Sequence, residues 1–248
     1  MPPFLPLPPR TASVSDLLEA ATRLFRVTLL KCLPFTLLAV LFALLPNIYW
    51  IATGHTLGYT LGSALPRDPG YLLLCFVGMI AFLLLASIAM LRQRALIRGE
   101  TVRAASELSA ALPRLPVLAL AWILANLSVA AGFLLLLLPG IFLGVCYGVL
   151  GPVVLFDGVG PYAALVRCVT LVRPFWWRAC AAIVIALLIA TVCAIVMVSI
   201  ISVIAELLAP EAAARALAAA AMLGAEALII LFLSALGLVL YSAASSSA

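Results

Sequence analysis

Between Ala179 and Ala205 the chain runs for 27 residues without a charged side chain. Nothing else in the sequence constrains the fold as strongly, because a helix that is apolar on every face needs apolar surroundings. At 1.5 Å per residue the run reaches about 40 Å, more than the roughly 30 Å hydrocarbon core of a bilayer. Five further apolar stretches follow the same logic: Leu33–Trp50, Gly70–Leu91, Leu115–Leu138, Ile141–Phe156 and Ala216–Leu240. Hydrophobic residues make up 67% of the 248 positions and charged residues 9%, against about 25% charged in a typical soluble domain. A soluble domain of this size could not bury so much apolar surface. The expected fold is therefore all-α: a polytopic membrane protein with six transmembrane helices and amphipathic interfacial helices. One membrane domain is expected over 13–241, between a disordered proline-rich tail at 1–12 and a short disordered tail at 242–248.

Ile141–Phe156 is the shortest stretch, about 24 Å if helical, and Gly144, Gly148, Gly151 and Pro152 weaken it further. A short, loosened span belongs inside a bundle, where neighbours satisfy its backbone. Gly144 and Gly148 form a small-xxx-small pair suited to close helix contact. Pro139-Gly140, just before it, reads as the turn from the preceding span.

The ends of the chain set the orientation. Met1–Arg10 is half proline and cannot be helical. No basic, apolar and small-residue sequence resembling a removable signal peptide is present, so insertion is expected to rest on the first span. Ser13–Lys31 is amphipathic. Ser13 and Asp16 suit a capping box, and Val14, Leu17, Leu18, Ala21, Leu24, Phe25 and Thr28 share one face. Asp16, Glu19, Arg23 and Arg26 share the other. This segment reads either as a surface helix or, because Leu33–Trp50 follows directly, as an interfacial helix leading into the first span. With six spans, twelve basic residues fall on the side of the termini, and Arg67 and Arg215 on the other. The positive-inside rule then places both termini in the cytoplasm. It also accounts for the net charge of +5: the arginines lie where anionic headgroups attract them, and no nucleic-acid partner is expected.

Three times a basic amphipathic segment reaches a proline and then a pair of spans, at Pro34, Pro116 and Pro174. This pattern fits a triplicated unit or simply the common habit of starting spans with basic residues and proline. Gly160–Arg173 is a helix candidate, with Pro161 at its start and Asp157 just before its positive end. Leu165, Val169 and Val172 form its apolar stripe, and Arg173 and Arg178 lie at or beyond its negative end. Asp157, Arg167, Arg173, Trp176, Trp177 and Arg178 are candidate contacts for anionic lipid or a partner, or plain anchors of the bundle. Glu226 lies deep in the last span, where a charge costs about 2.5–3.5 kcal/mol on insertion scales, and Asn126 sits at similar depth in the third. They are expected to face each other across the bundle, as a structural hydrogen bond or as a proton-coupled site. Six cysteines without a C-x-x-C pair read as small apolar residues, and His55 stands alone in a loop. No Glu, Asp and His cluster has metal-ligand spacing, so no metal or cofactor is expected.

Leu138-Pro139-Gly140-Ile141, Pro152, Asp157-Gly158, Leu171-Val172-Arg173 and Trp176-Trp177-Arg178 together carry a family likeness. The block resembles YciC-type inner-membrane proteins and the related membrane domain attached to some glycerophosphodiester phosphodiesterases. About 45 residues match well. The family usually has Glu where this chain has Asp157, and often a basic residue near Cys146. The resemblance implies a six-span bacterial inner-membrane protein of unestablished activity. In the fused relatives hydrolysis belongs to a separate soluble domain, for which loops of about two dozen residues leave no room here. The expectation is a non-enzymatic structural or organising membrane protein; the alternative is a small transporter or lipid-handling protein using Glu226. The expected partners are anionic lipids on the cytoplasmic side, together with a membrane protein or a second copy of the chain.

Overall fold

The computed structural model describes residues 8–9, 11–53, 68–100, 104–208 and 210–245. The start of the proline-rich tail, His55, Arg67 and the last three residues lie outside these, as do Arg10 and Arg103. The described residues are helical almost throughout and contain no strand. The helices are α1 (Val14–Ala52), α2 (Pro69–Arg98), α3 (Ala104–Ala111), α4 (Leu115–Leu135), α5 (Leu137–Tyr147), α6 (Leu150–Pro152), α7 (Pro161–Val172), α8 (Trp176–Leu208) and α9 (Glu211–Ser245). Single 3-10 turns, Leu112–Arg114 and Arg173–Phe175, lead into α4 and α8, and α6 continues into a π-helical turn over Val153–Asp157. Five helical segments are long and apolar enough to cross a membrane. A sixth candidate is the bent pair Leu137–Tyr147 and Leu150–Asp157, which break by 47°. The protein is a multi-pass, all-α membrane protein.

Three hairpins, α1–α2, α4–α5 and α8–α9, form the bundle, with α9 also packed along α1. The two 3-10 turns sit at equivalent places, each joining a short amphipathic helix to a span. The first unit differs: α1 runs unbroken through Pro34, so its amphipathic part and its span are one helix. At 39 residues α1 is about 58 Å long, twice what a bilayer core needs. Its first half follows the sequence pattern: Leu17, Ala21, Leu24 and Thr28 are buried, while Asp16, Glu19, Arg23 and Arg26 are exposed. Ser13 caps it reciprocally, its amide donating to Asp16 (2.9 Å) and its Oγ accepting from the Asp16 amide (3.2 Å).

Close backbone approach decides how the hairpins cross. Pro46 has no N–H to give to the carbonyl one turn earlier, that of Phe42. Gly78 of α2 fills the space beside that carbonyl: a Cβ there would lie 2.6 Å from the Phe42 oxygen. In the second hairpin α4 meets α5 at Gly132 and Gly140, where a Cβ on Gly132 would lie 2.9 Å from the Gly140 nitrogen.

This corrects the expected turn. The chain reverses at Leu136, which is extended (φ −163°, ψ 143°), and Pro139-Gly140 lies inside the first turn of α5. A first helical turn has no donor to lose at a proline, and Gly140 is needed there for contact with α4. Of the expected pair Gly144 and Gly148, Gly148 makes the helix contact, its carbonyl lying 2.8 Å from where a Gly237 Cβ would be. The expected C-terminal tail at 242–248 is also corrected in part. Helix α9 continues to Ser245, because Ala243 and Ala244 are buried in the core.

Gly78→Val should lower the thermal unfolding temperature of the detergent-purified protein, since overpacking at a backbone carbonyl costs about 1–3 kcal/mol. Gly144→Ala, with nothing within 4 Å of its new Cβ, should leave it unchanged or slightly higher. Equal temperatures for Gly78→Val and wild type would contradict this crossing.

Candidate functional site

Apart from Arg215, the arginines of the described residues gather at the end of the bundle opposite the hairpin tips, and side-chain contacts join several of them into a layer. One part centres on Asp157. The π-helical turn ends there, and Gly158 (φ 67°) reverses the chain toward α7. Asp157 accepts a hydrogen bond from the Tyr241 hydroxyl of α9 and pairs at 3.4 Å with Arg167 of α7. Arg114, in the turn before α4, donates to the Gly158 carbonyl at 3.0 Å. Its guanidinium lies 2.7 Å from where a Gly158 Cβ would be, a second reason for glycine beside the positive φ. Arg94 of α2 lies 3.9 Å above the Phe156 ring. Thus α2, α4, α7 and α9 all converge on the end of the broken span.

The other part centres on Arg92. Its guanidinium grips Glu107 of α3 through both oxygens (2.7–3.1 Å), donates to the Lys31 carbonyl of α1 (3.1 Å) and lies 4.3 Å over Phe35. The neighbouring Gln93 is fully buried; its amide donates to the Leu231 carbonyl (3.3 Å) and accepts from the Ser234 hydroxyl (3.1 Å). Neither Gln93 nor Glu107 stands out in sequence. The available signal was a polar pair ending an apolar run, and one acid on the short α3.

Of the residues singled out in sequence, Asp157 and Arg167 pair directly, and the rings of Trp176 and Trp177 meet edge to face with centroids 4.6 Å apart. Trp176 turns inward, its indole N–H 3.4 Å from the Phe142 carbonyl, while Trp177 stays 79% exposed. Arg178 donates to the Ala12 carbonyl (3.2 Å) and so fastens the start of the chain to α8. Arg173 is exposed. Leu165 and Val172 are buried as the α7 stripe requires.

Glu226 and Asn126 are not brought together. Asn126 donates to the Trp122 carbonyl of its own helix (2.8 Å), and Glu226 lies on the exposed face of α9. A serine, threonine or asparagine in a span can satisfy itself on the preceding turn, so a polar residue at matching depth does not imply a partner across the bundle.

Lateral grooves open in the bundle, and two of them are described by their walls. One, of about 390 Å³, lies among α1, α2, α4, α5 and α9 and includes Ser87, Met90, Asn126, Gly144, Tyr147 and Ser234 in its walls. The other, about 310 Å³, lies among α1, α8 and α9. Glu226 lines neither of them. Among the described residues no group of three or more His, Cys, Asp or Glu is placed to hold a metal ion. All six cysteines are free, and Cys32, Cys146 and Cys168 are buried. No protein-family model matches the chain, and neither a curated protein nor a solved structure is significantly similar to it.

Asp157→Ala should destabilise the protein by about 1–3 kcal/mol, because it strands the partly buried Tyr241 hydroxyl. Tyr241→Phe should cost less, and Arg173→Ala should stay within about 0.5 kcal/mol. Unfolding measured in one detergent checks the order; an Asp157→Ala protein as stable as Arg173→Ala would contradict the role assigned to Asp157.

Proposed function

We propose that this is a non-enzymatic, structural or organising protein of the bacterial inner membrane, with both termini cytoplasmic. The observation that carries the reading is the use made of the polar residues at the basic end. Arg92, Glu107, Gln93, Asp157, Tyr241, Arg114 and Arg178 join one helix to another. Such an arrangement holds a fixed surface rather than presenting a reactive one. Within the block that resembles YciC-type proteins, Gly140, Asp157, Gly158, Trp176 and Arg178 all make contacts between elements, which fits an organising role. The cytoplasmic placement rests on the positive-inside rule applied to the basic layer, which also suits it to anionic headgroups.

The outward face of α8 is the natural place for a protein partner or second copy. Leu188, Val192, Ile195, Val196 and Val203 are more than half exposed there, in a span window only 6% buried within the bundle. Native mass spectrometry of the full chain, gently extracted from its own membrane, tests this. A stoichiometric protein complex should appear in wild type and in Glu226→Ala, and disappear in Leu188→Trp/Val192→Trp. A water-soluble solute carried by wild type and lost from Glu226→Ala would instead support a transporter.

A further inference from the structure

The α2 stripe that lines the larger groove leads toward an arginine just past its lining residues. On α2, Leu83, Ser87 and Met90 line it at helical spacing, and the next position on that stripe is Arg94. On the opposite wall Leu155 lines the groove, and the following residue, Phe156, is the ring on which the Arg94 guanidinium lies. Unlike Arg92 and Arg167, Arg94 has no ion pair or hydrogen bond among the described residues. Asp157, the carboxylate of the same cluster, is already held by Tyr241 and Arg167. A guanidinium lying over an aromatic ring keeps its in-plane N–H donors at its edge, the geometry that suits a phosphate.

The walls below Arg94 are apolar, with a few polar groups from Ser87, Asn126, Tyr147 and Ser234. Trp122, Asn126 and Gly144, also in the wall, are exposed on the outer surface of the bundle, so the groove is entered sideways, from the lipid. At about 390 Å³ it falls within the roughly 300–1,000 Å³ of small-molecule sites. A water-soluble solute would have to cross hydrocarbon to enter, whereas a bilayer lipid is already beside it.

We infer that the groove binds one anionic phospholipid, its acyl chain between α2, α4 and α5 and its phosphate on Arg94. The charge is complementary, and a basic side chain between spans at the cytoplasmic end is where anionic headgroups are met. This site is distinct from the α8 surface and does not depend on the organising role.

The test is native mass spectrometry of the full chain, delipidated in mild detergent and offered equal amounts of phosphatidylglycerol and phosphatidylethanolamine. Wild type should retain one lipid, predominantly phosphatidylglycerol. Because phosphatidylethanolamine already carries an ammonium beside its phosphate, it gains less from the guanidinium, so Arg94→Gln should reduce the ratio of the two headgroups about tenfold, about 1.4 kcal/mol, and Arg94→Lys should keep most of the preference. Gly144→Phe, whose new side chain enters the groove without meeting an atom within 4 Å at its Cβ, should lose both lipids. The ratio is read within one sample, so a reduced folded fraction does not alter it. The inference is overturned if wild type keeps no lipid, keeps both headgroups equally, or is matched by Arg94→Gln and Gly144→Phe proteins of native helix content.

Discussion

The ion pair between Arg92 and Glu107 fixes the rest of the bundle's basic end. Both side chains are largely withdrawn from water, 14% and 7% exposed, so an imperfect pairing would cost more than it returns. The geometry meets that demand: two carboxylate oxygens, the Lys31 carbonyl and the face of Phe35 surround one guanidinium. Its neighbours extend the effect. Successive helical residues point about 100° apart, so Arg92, Gln93 and Arg94 leave α2 in three directions. Arg92 reaches α3 and α1, Gln93 reaches α9, and Arg94 reaches the π-helical turn. One turn of α2 thereby positions four other segments.

Within the apolar region there is no comparable hydrophobic drive to choose one helix arrangement over another, since lipid tails are as apolar as leucine. Shape takes over there. Gly78 against the Phe42 carbonyl, and Gly132 against Gly140, allow approaches that any side chain would block. The polar layer and these crossings fix where the bent span sits, and the bend leaves the lateral groove beside Gly144.

Much of the fold was legible in the sequence because bilayer physics acts on composition. The apolar runs, the amphipathic first half of α1, the Ser13–Asp16 cap and the α7 stripe all follow from spacing and hydrophobicity alone. What was not legible depends on three-dimensional neighbours. Pro139-Gly140 looks like a turn, yet proline is equally acceptable in a first helical turn, and only the position of Gly132 decides between them. Glu226 and Asn126 match in depth along their helices, but depth carries no information about azimuth, and the two face different surroundings. Asp157 drew notice as a residue near a helix start; its bond to Tyr241, 84 positions away, had no local sign. Gln93, between two arginines, and Glu107, on a short helix of small residues, gave no local sign of their partners for the same reason.

The pairing of Arg92 with Glu107 is a coupling between two withdrawn side chains and not two independent surface charges. A double-mutant cycle of Arg92→Ala, Glu107→Ala and the double variant, read from reversible unfolding in one detergent, measures it. A coupling of at least about 1 kcal/mol is expected, with the double variant more stable than the sum of the single losses implies. Losses that add to within about 0.3–0.5 kcal/mol would contradict it.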